Sequence, residues 1–143
     1  MEDQRGWVLA KRKIDEGLSL IRIKELESSF PFKRYPERLN IIWSFRDMGV
    51  HDTPSDRESD AMERFENRIC KYIEDSEQAV LCVVFTEPGY REYVFHCDTV
   101  ESFLAALSEI PQERKPYPIE IHHETDATGK FYKSYAKGLI KHS

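Results

Sequence analysis

Two periods of hydrophobicity run along this chain, and the places where one gives way to the other mark its elements. Period two comes first. GWVLAKRKI and LSLIRIKEL read as two short strands on either side of Asp15-Glu16-Gly17, where the glycine suits the positive φ of a tight hairpin turn. ESSFPFKRYPER follows, with Pro31 and Pro36 among aromatics. It reads as a loop that packs some of its side chains, because it lacks the Gly/Ser content of a flexible linker. In LNIIWSF, Leu39, Ile41, Trp43 and Phe45 share one parity, and so one core-facing side of a strand.

The period then changes to that of a helix. Pro54 and the Ser55-x-x-Glu58 capping box open it, and Met62, Phe65, Ile69, Tyr72 and Ile73 recur at three- and four-residue spacing. Glu58, Asp60, Glu63, Glu66, Glu74 and Asp75 are expected on its outer side, where Arg57, Arg64, Arg68 and Lys71 are within reach for helical ion pairs. AVLCVVF is apolar on both parities and predicts a strand covered on both faces. Glu87-Pro88-Gly89-Tyr90 places Pro and Gly as a tight turn requires, and REYVFHC returns antiparallel. Asp98 and Glu101 make a second capping box ahead of the stripe Val100, Phe103, Leu104 and Leu107. ERKPYP ends that helix, IEIHHE is the last strand, and a final helix from about Lys130 carries Phe131, Tyr135 and Leu139 on one side.

The order β-β-β-α-β-β-α-β-α makes the fold class α+β. Without the first hairpin and the last helix it reduces to β-α-β-β-α-β, the ferredoxin-like arrangement, with both long helices on one face of an antiparallel sheet. The expected spatial order of strands runs through Ile119, Ile41, Val94 and Val83. A length of 143 residues suggests a single domain over 1–143, with an N-terminal hairpin and loop (1–36), a ferredoxin-like core (37–125) and a C-terminal helix (126–143).

Composition narrows the function. The net charge of −5 disfavours nucleic acid as a main ligand, since phosphate binding needs local cations in surplus. Cys70, Cys82 and Cys97 are odd in number and widely spaced, a poor disulfide framework and a poor zinc site; they read as reduced core thiols. The opening MEDQRGWVLAKRK is too polar for a signal peptide and no apolar run approaches a membrane span, so a cytoplasmic location is expected.

Several of these stretches together resemble a known family. IIWSF, the acidic helix, AVLCVVFTEPGYREYVFHCD and KPYPIEI are similar to the bacterial family of domains of unknown function 695, with matches at Trp7, Trp43, Thr86, Gly89, Arg91, Glu92, Tyr117 and Pro118. The resemblance spans about Trp7 to Tyr135, and departs where the family has an Asp-x-Trp and this chain has ETDATGKFY. It implies no established activity. Such domains are sometimes joined to ones similar to the ribonuclease E inhibitor RraB, which implies a regulatory binding role.

If Tyr93, Phe95 and Cys97 meet the helices, the alternate parity turns to an open face. Arg46, Glu92, His96, Glu120 and His122 would share it: acid, base and cation on one candidate ligand surface. A solvated sheet face, or one covered by the N-terminal hairpin, accounts for the same residues. No residue stands out as catalytic: G-x-S-x-G, P-loop and dinucleotide fingerprints are absent, and Cys97 and His96 are strand neighbours facing opposite ways. His96, His122 and His123 with Glu120 or Glu124 could supply metal donors, but adjacent His122 and His123 diverge, and neither a metal nor a cofactor is expected. Trp43, Phe45, Tyr93 and Phe95 would stack nucleobases only if their parity were reversed. Lys130, Lys133, Lys137 and Lys141 read as a solvated helix face.

The resulting expectation is a non-enzymatic cytoplasmic interaction or regulatory module. Its contact surfaces would be the open sheet face and an exposed sheet edge, with a protein partner; a homodimer is compatible with this. The alternatives are an enzyme of unrecognised type using Arg46, Glu92 and His96, with His122, on the open face, and a small immunity or antitoxin-like protein.

Overall fold

The structure, a computed structural model, describes residues 6–14 and 17–140; the side chains of residues 51, 74 and 75, the Asp15-Glu16 turn and Lys141 fall outside that description. Its elements are β1 (Trp7–Ile14), β2 (Gly17–Lys24), β3 (Glu37–Ser44), α1 (Asp56–Ser76), β4 (Ala79–Glu87), β5 (Tyr90–Cys97), α2 (Val100–Glu109), β6 (Ile119–Thr125) and α3 (Lys130–Leu139). The fold is α+β, with the six strands in one antiparallel sheet ordered β1-β2-β4-β5-β3-β6. The hairpin β1–β2 does not cover the sheet. It lengthens it, with Leu20 opposite Thr86 and Ile23 opposite Val83.

Strand alternation sorts the side chains onto two sides. Leu39, Ile41, Trp43, Tyr93, Phe95 and Cys97 pack with Met62, Phe65, Ile69 and Ile73 of α1 and Phe103 of α2. Tyr93 and Phe95 are 0% exposed and Trp43 and Phe45 4%, so the aromatics of the central strands lie in the core. A bulge between Leu81 and Val83 breaks the alternation of β4, so that Leu81 joins this core while Cys82 and Val83 both join the opposite one. That is how a strand apolar on both parities is used.

Polar residues near the helix ends settle differently from expectation. Ser55 Oγ accepts from the Glu58 amide (3.2 Å), but the Glu58 carboxylate does not close the box; it accepts from the buried Trp43 indole N–H (2.7 Å). At α2 the N-cap is Thr99 rather than Asp98. Thr99 has extended backbone one residue before the helix, and its Oγ1 accepts from the Ser102 amide (3.1 Å). Asp98 supports that cap by accepting from the Thr99 amide (2.6 Å) and the Ser102 hydroxyl (2.5 Å). Glu66 is not on the outer side of α1: it is 3% exposed, four residues after Met62 in the inward stripe, whereas Tyr72 at the stripe's margin is 40% exposed.

The second side of the sheet is half covered. Tyr132, Ala136 and Ile140, at and just beyond α3, pack with Phe32 onto Ile23, Val83, Phe85 and Val94. The buried stripe is offset by one residue from the expected Phe131, Tyr135 and Leu139. The Tyr132 hydroxyl fixes this rotation by donating to the Lys24 carbonyl (2.6 Å) and accepting from the Leu26 amide (3.0 Å). Asp126 starts α3 by accepting from the amides of Lys130 (2.8 Å) and Phe131 (3.2 Å). The loop before β3 lends Phe32 and Tyr35, both buried. At the far end of this side β3 reaches the margin of the cover, where Arg38 lies 4.4 Å from the Phe131 ring centroid, and β6 is exposed along all but its first residue.

Candidate functional site

The five residues expected to share an open face separate into three environments. His96 is sealed: it is 0% exposed, with the Phe32 ring edge-on at 5.0 Å. Its Nδ1–H donates to the Tyr35 carbonyl (2.9 Å), which can only accept, so the lone pair sits on Nε2. That nitrogen stands 4.0 Å from Asp126 Oδ2 and has no hydrogen-bond partner among the described residues. Burial lowers the His96 pKa, against the opposing pull of its Tyr35 bond and Asp126. Burial alone would raise Asp126, but the amides of Phe131 and Lys130 and the Arg38 guanidinium (3.1 Å) outweigh it and hold the carboxyl below its ordinary range.

Glu92, Glu120 and His122 stay on the uncovered part. Glu92 and Glu120 both pair across strands with Ile42, one from each side, and His122 pairs with Asn40. Glu92 accepts from Asn40 Nδ2 (2.6 Å), while Glu120 and His122 contact each other (2.7 Å) in solvent. With Arg38, Glu92 and His122 line a shallow hollow of about 320 Å³. Arg46 lies in the exposed loop after β3. The set does not converge because the covering helix and the Phe32 loop sequester His96 and because β3 ends before Arg46. Among the described residues, no three His, Cys, Asp or Glu side chains are grouped as metal ligands.

A better-formed site lies on the helix side. Because the hairpin carries the sheet past α1, a groove of about 300 Å³ opens between them. Leu20 and Arg22 of β2 and Val84 and Thr86 of β4 line it from the sheet, Ser59, Glu63 and Glu66 from α1, and Leu9 of β1 and Arg91 of β5 complete it. Glu66 and Trp7 both hold Arg22: its Nη2 donates to Glu66 Oε1 (2.5 Å), and its guanidinium lies 4.8 Å from the Trp7 ring centroid. Arg91 Nε donates to Thr86 Oγ1 (2.8 Å). Thr86 and Arg91 face each other in register, joined by a tight turn in which Gly89 has φ +95°. The T-x-x-G-x-R spacing is thus a hairpin clamp: the glycine allows the turn, and the turn aligns hydroxyl with guanidinium.

Sequence reasoning missed Arg22 and Glu66. The signal was present in each pattern. Arg22 occupies the parity of Leu20 in β2, and Glu66 occupies the apolar stripe of α1. Two opposite charges, each out of place in its own element, are an ion pair waiting for its fold.

The model of the family of unknown function DUF695 matches residues 5–136. The chain belongs to that family. No curated protein matches it. In this DUF695 chain, Thr86 and Arg91 line the groove, and Trp7 borders it through Arg22. Trp43 and Tyr117 instead belong to the core behind α1, with ring centroids 6.0 Å apart.

The thiols take no part in either hollow. Burial pushes Cys82 and Cys97 each up to about 12, so neither ionises near neutrality. No described helix is long and apolar enough to cross a membrane.

Proposed function

We propose that this DUF695 chain is a non-enzymatic interaction module of the cytoplasm that regulates a protein partner through the groove between α1 and the β1–β2 hairpin. We read its core as ferredoxin-like. That reading is supported by the run β6-β3-β5-β4 within the sheet and by α1 and α2 sharing one core; the hairpin and α3 are additions.

The observation that carries the function is the way the groove holds its polar groups. Arg22 is fixed by Glu66 and Trp7, and Arg91 by Thr86. A guanidinium offers no base, so the Arg91–Thr86 bond immobilises the hydroxyl without preparing it as a nucleophile. Fixed, already paired groups suit recognition, because little side-chain freedom remains to be lost on binding. A volume of about 300 Å³ is at the small end for metabolite sites and accepts one or two anchoring side chains of a partner. Exposed Glu63 and Leu9 give the groove one charged and one apolar contact.

Affinity capture from cells that express the protein natively tests this. Wild type should retain a stoichiometric protein partner, and Glu63→Arg, a surface charge reversal, should lose it. Capture of no stoichiometric partner by wild type, or equal capture by both, contradicts the proposal.

A further inference from the structure

The hydrogen-bond register of the hairpin fixes which way each backbone group of β1 points. The Glu25 amide donates to the Gly6 carbonyl (2.6 Å), and Gly6 and Glu25 continue the β1–β2 register beyond Trp7 opposite Lys24. Bonded pairs recur every second residue, so Val8, Ala10, Arg12 and Ile14 turn their N–H and C=O toward β2. Trp7, Leu9, Lys11 and Lys13 turn theirs outward, along the outer edge of the sheet. Half of this edge is guarded: Lys11, Arg12 and Lys13 are charges of the kind that keep sheet edges apart. Its first half, Trp7–Ala10, has neither charge nor proline, and Leu9 is 59% exposed.

We propose that β1 pairs antiparallel with β1 of a second copy, across a twofold axis at Ala10. This register opposes Trp7 to Lys13, Leu9 to Lys11, Val8 to Arg12 and Ala10 to itself. It uses every outward group of the strand, making about eight backbone hydrogen bonds. It sets no like charges directly opposite, and it lays lysine stems over Leu9 and Trp7. The other edge fits a second copy less well. The Asp126 amide donates to the Pro36 carbonyl (2.7 Å), so Glu120, His122 and Glu124 point their backbone at β3 and Ile121 and His123 point outward. Pairing β6 about His122 would bring Glu120 against Glu124 of its copy; pairing it about Ile121 avoids that clash but engages only Ile119, Ile121 and His123, for about six backbone hydrogen bonds, and Pro116 and Pro118 precede the strand. Dimerisation at β1 also places Lys11 of the second copy beside Leu9, at the margin of the groove. The inference stands on the edge geometry and is independent of what the groove binds.

Mass in solution tests it. The chain is 16.9 kDa, and wild type should sediment at twice that mass. Leu9→Pro removes an outward N–H while leaving the bonds to β2 intact, and should give a folded monomer by circular dichroism. Ile121→Pro, the equivalent change on the β6 edge, should remain dimeric. Leu9→Lys, which keeps the backbone donor and sets lysine opposite Lys11, should raise the dimer dissociation constant at least tenfold. A monomeric wild type at its highest soluble concentration overturns the proposal. So does a dimer unaffected by Leu9→Lys, or one dissociated by Ile121→Pro but not by the Leu9 variants.

Discussion

Gly129 is the point at which α3 is fastened over the sheet, and replacing it with alanine loads that fastening in two separable ways. Its φ of +69° lies in the left-handed region, where an L side chain costs about 1–2 kcal/mol. A Cβ there would also stand 2.5–2.6 Å from three carbons of the Phe32 ring. That ring is 7% exposed and cannot swing into water; it is held by Phe30 at 4.7 Å and His96 at 5.0 Å. Overpacking of this kind costs roughly 1–3 kcal/mol. The two contributions together give about 2–5 kcal/mol, or a fall in Tm of roughly 4–20 °C for a domain of this length. Gly89→Ala is the control, because Gly89 also has positive φ, +95°, but its Cβ would meet nothing within 4 Å. It should show the backbone contribution alone. Urea unfolding of both variants, with Phe32→Leu added to each, isolates the ring. The leucine should relieve Gly129→Ala and leave Gly89→Ala unrelieved. Equal losses for the two single variants would refute the packing of Phe32 against α3.

Three further outcomes are expected. Glu66→Ala removes a buried carboxylate and its charge-assisted bond to the half-buried Arg22 and should cost about 1.5–3 kcal/mol in urea unfolding, whereas Glu63→Ala, at the exposed lip, should cost less than about 0.5 kcal/mol; equal effects would contradict the inward placement of Glu66. Burial holds the His96 pKa below 6.5 in the folded chain, so between that lowered value and 6.5 the unfolded chain binds more protons. Stability should therefore fall on acidification through this window, by at most about 1.4 kcal/mol per pH unit from this group. His96→Gln should flatten that slope in urea titrations between pH 5 and 7, and the loss from protonating Asp126 should appear only below its ordinary 3.8. With Cys82 and Cys97 both raised to about 12, a thiol reagent at pH 8 should leave these two unmodified until denaturant is added; their rapid native labelling would contradict the burial of both cores.

Much of the architecture is legible in the sequence because local signals and tertiary needs agree. Trp43 and Phe45 alternate with polar residues, Met62 to Ile73 follow a helical stripe, and Pro88-Gly89 makes a turn; each lies where its pattern points. The candidate site was less legible, for a physical reason. Parity says which side of a strand His96 occupies, but not what lands on that side. The cover comes from Phe32 and Tyr132, a hundred residues apart in the chain, and their contact depends on a one-residue rotation of α3 that the Lys24 and Leu26 backbone decides. Acidity suggests exposure for Glu66 although its position lies in the apolar stripe; Arg22, arriving from a separate element, is a partner that helps make an inward carboxylate tolerable. The same holds at the caps. Thr99 and Asp98 are both competent, and the choice rests on which residue the chain leaves extended before Val100.

The proposed placement of recognition in the groove on the helix side requires that His96 be sealed within the second side of the sheet and not displayed on an open face. Nitrogen NMR of the His96 ring across pH 5–8 reads this directly. A sealed ring should hold a single neutral tautomer with the proton on Nδ1, bonded to the Tyr35 carbonyl, and should titrate below 6.5. A ring that exchanges between tautomers and titrates at or above 6.5, as an imidazole in water does, would place His96 back on an open face and contradict the account.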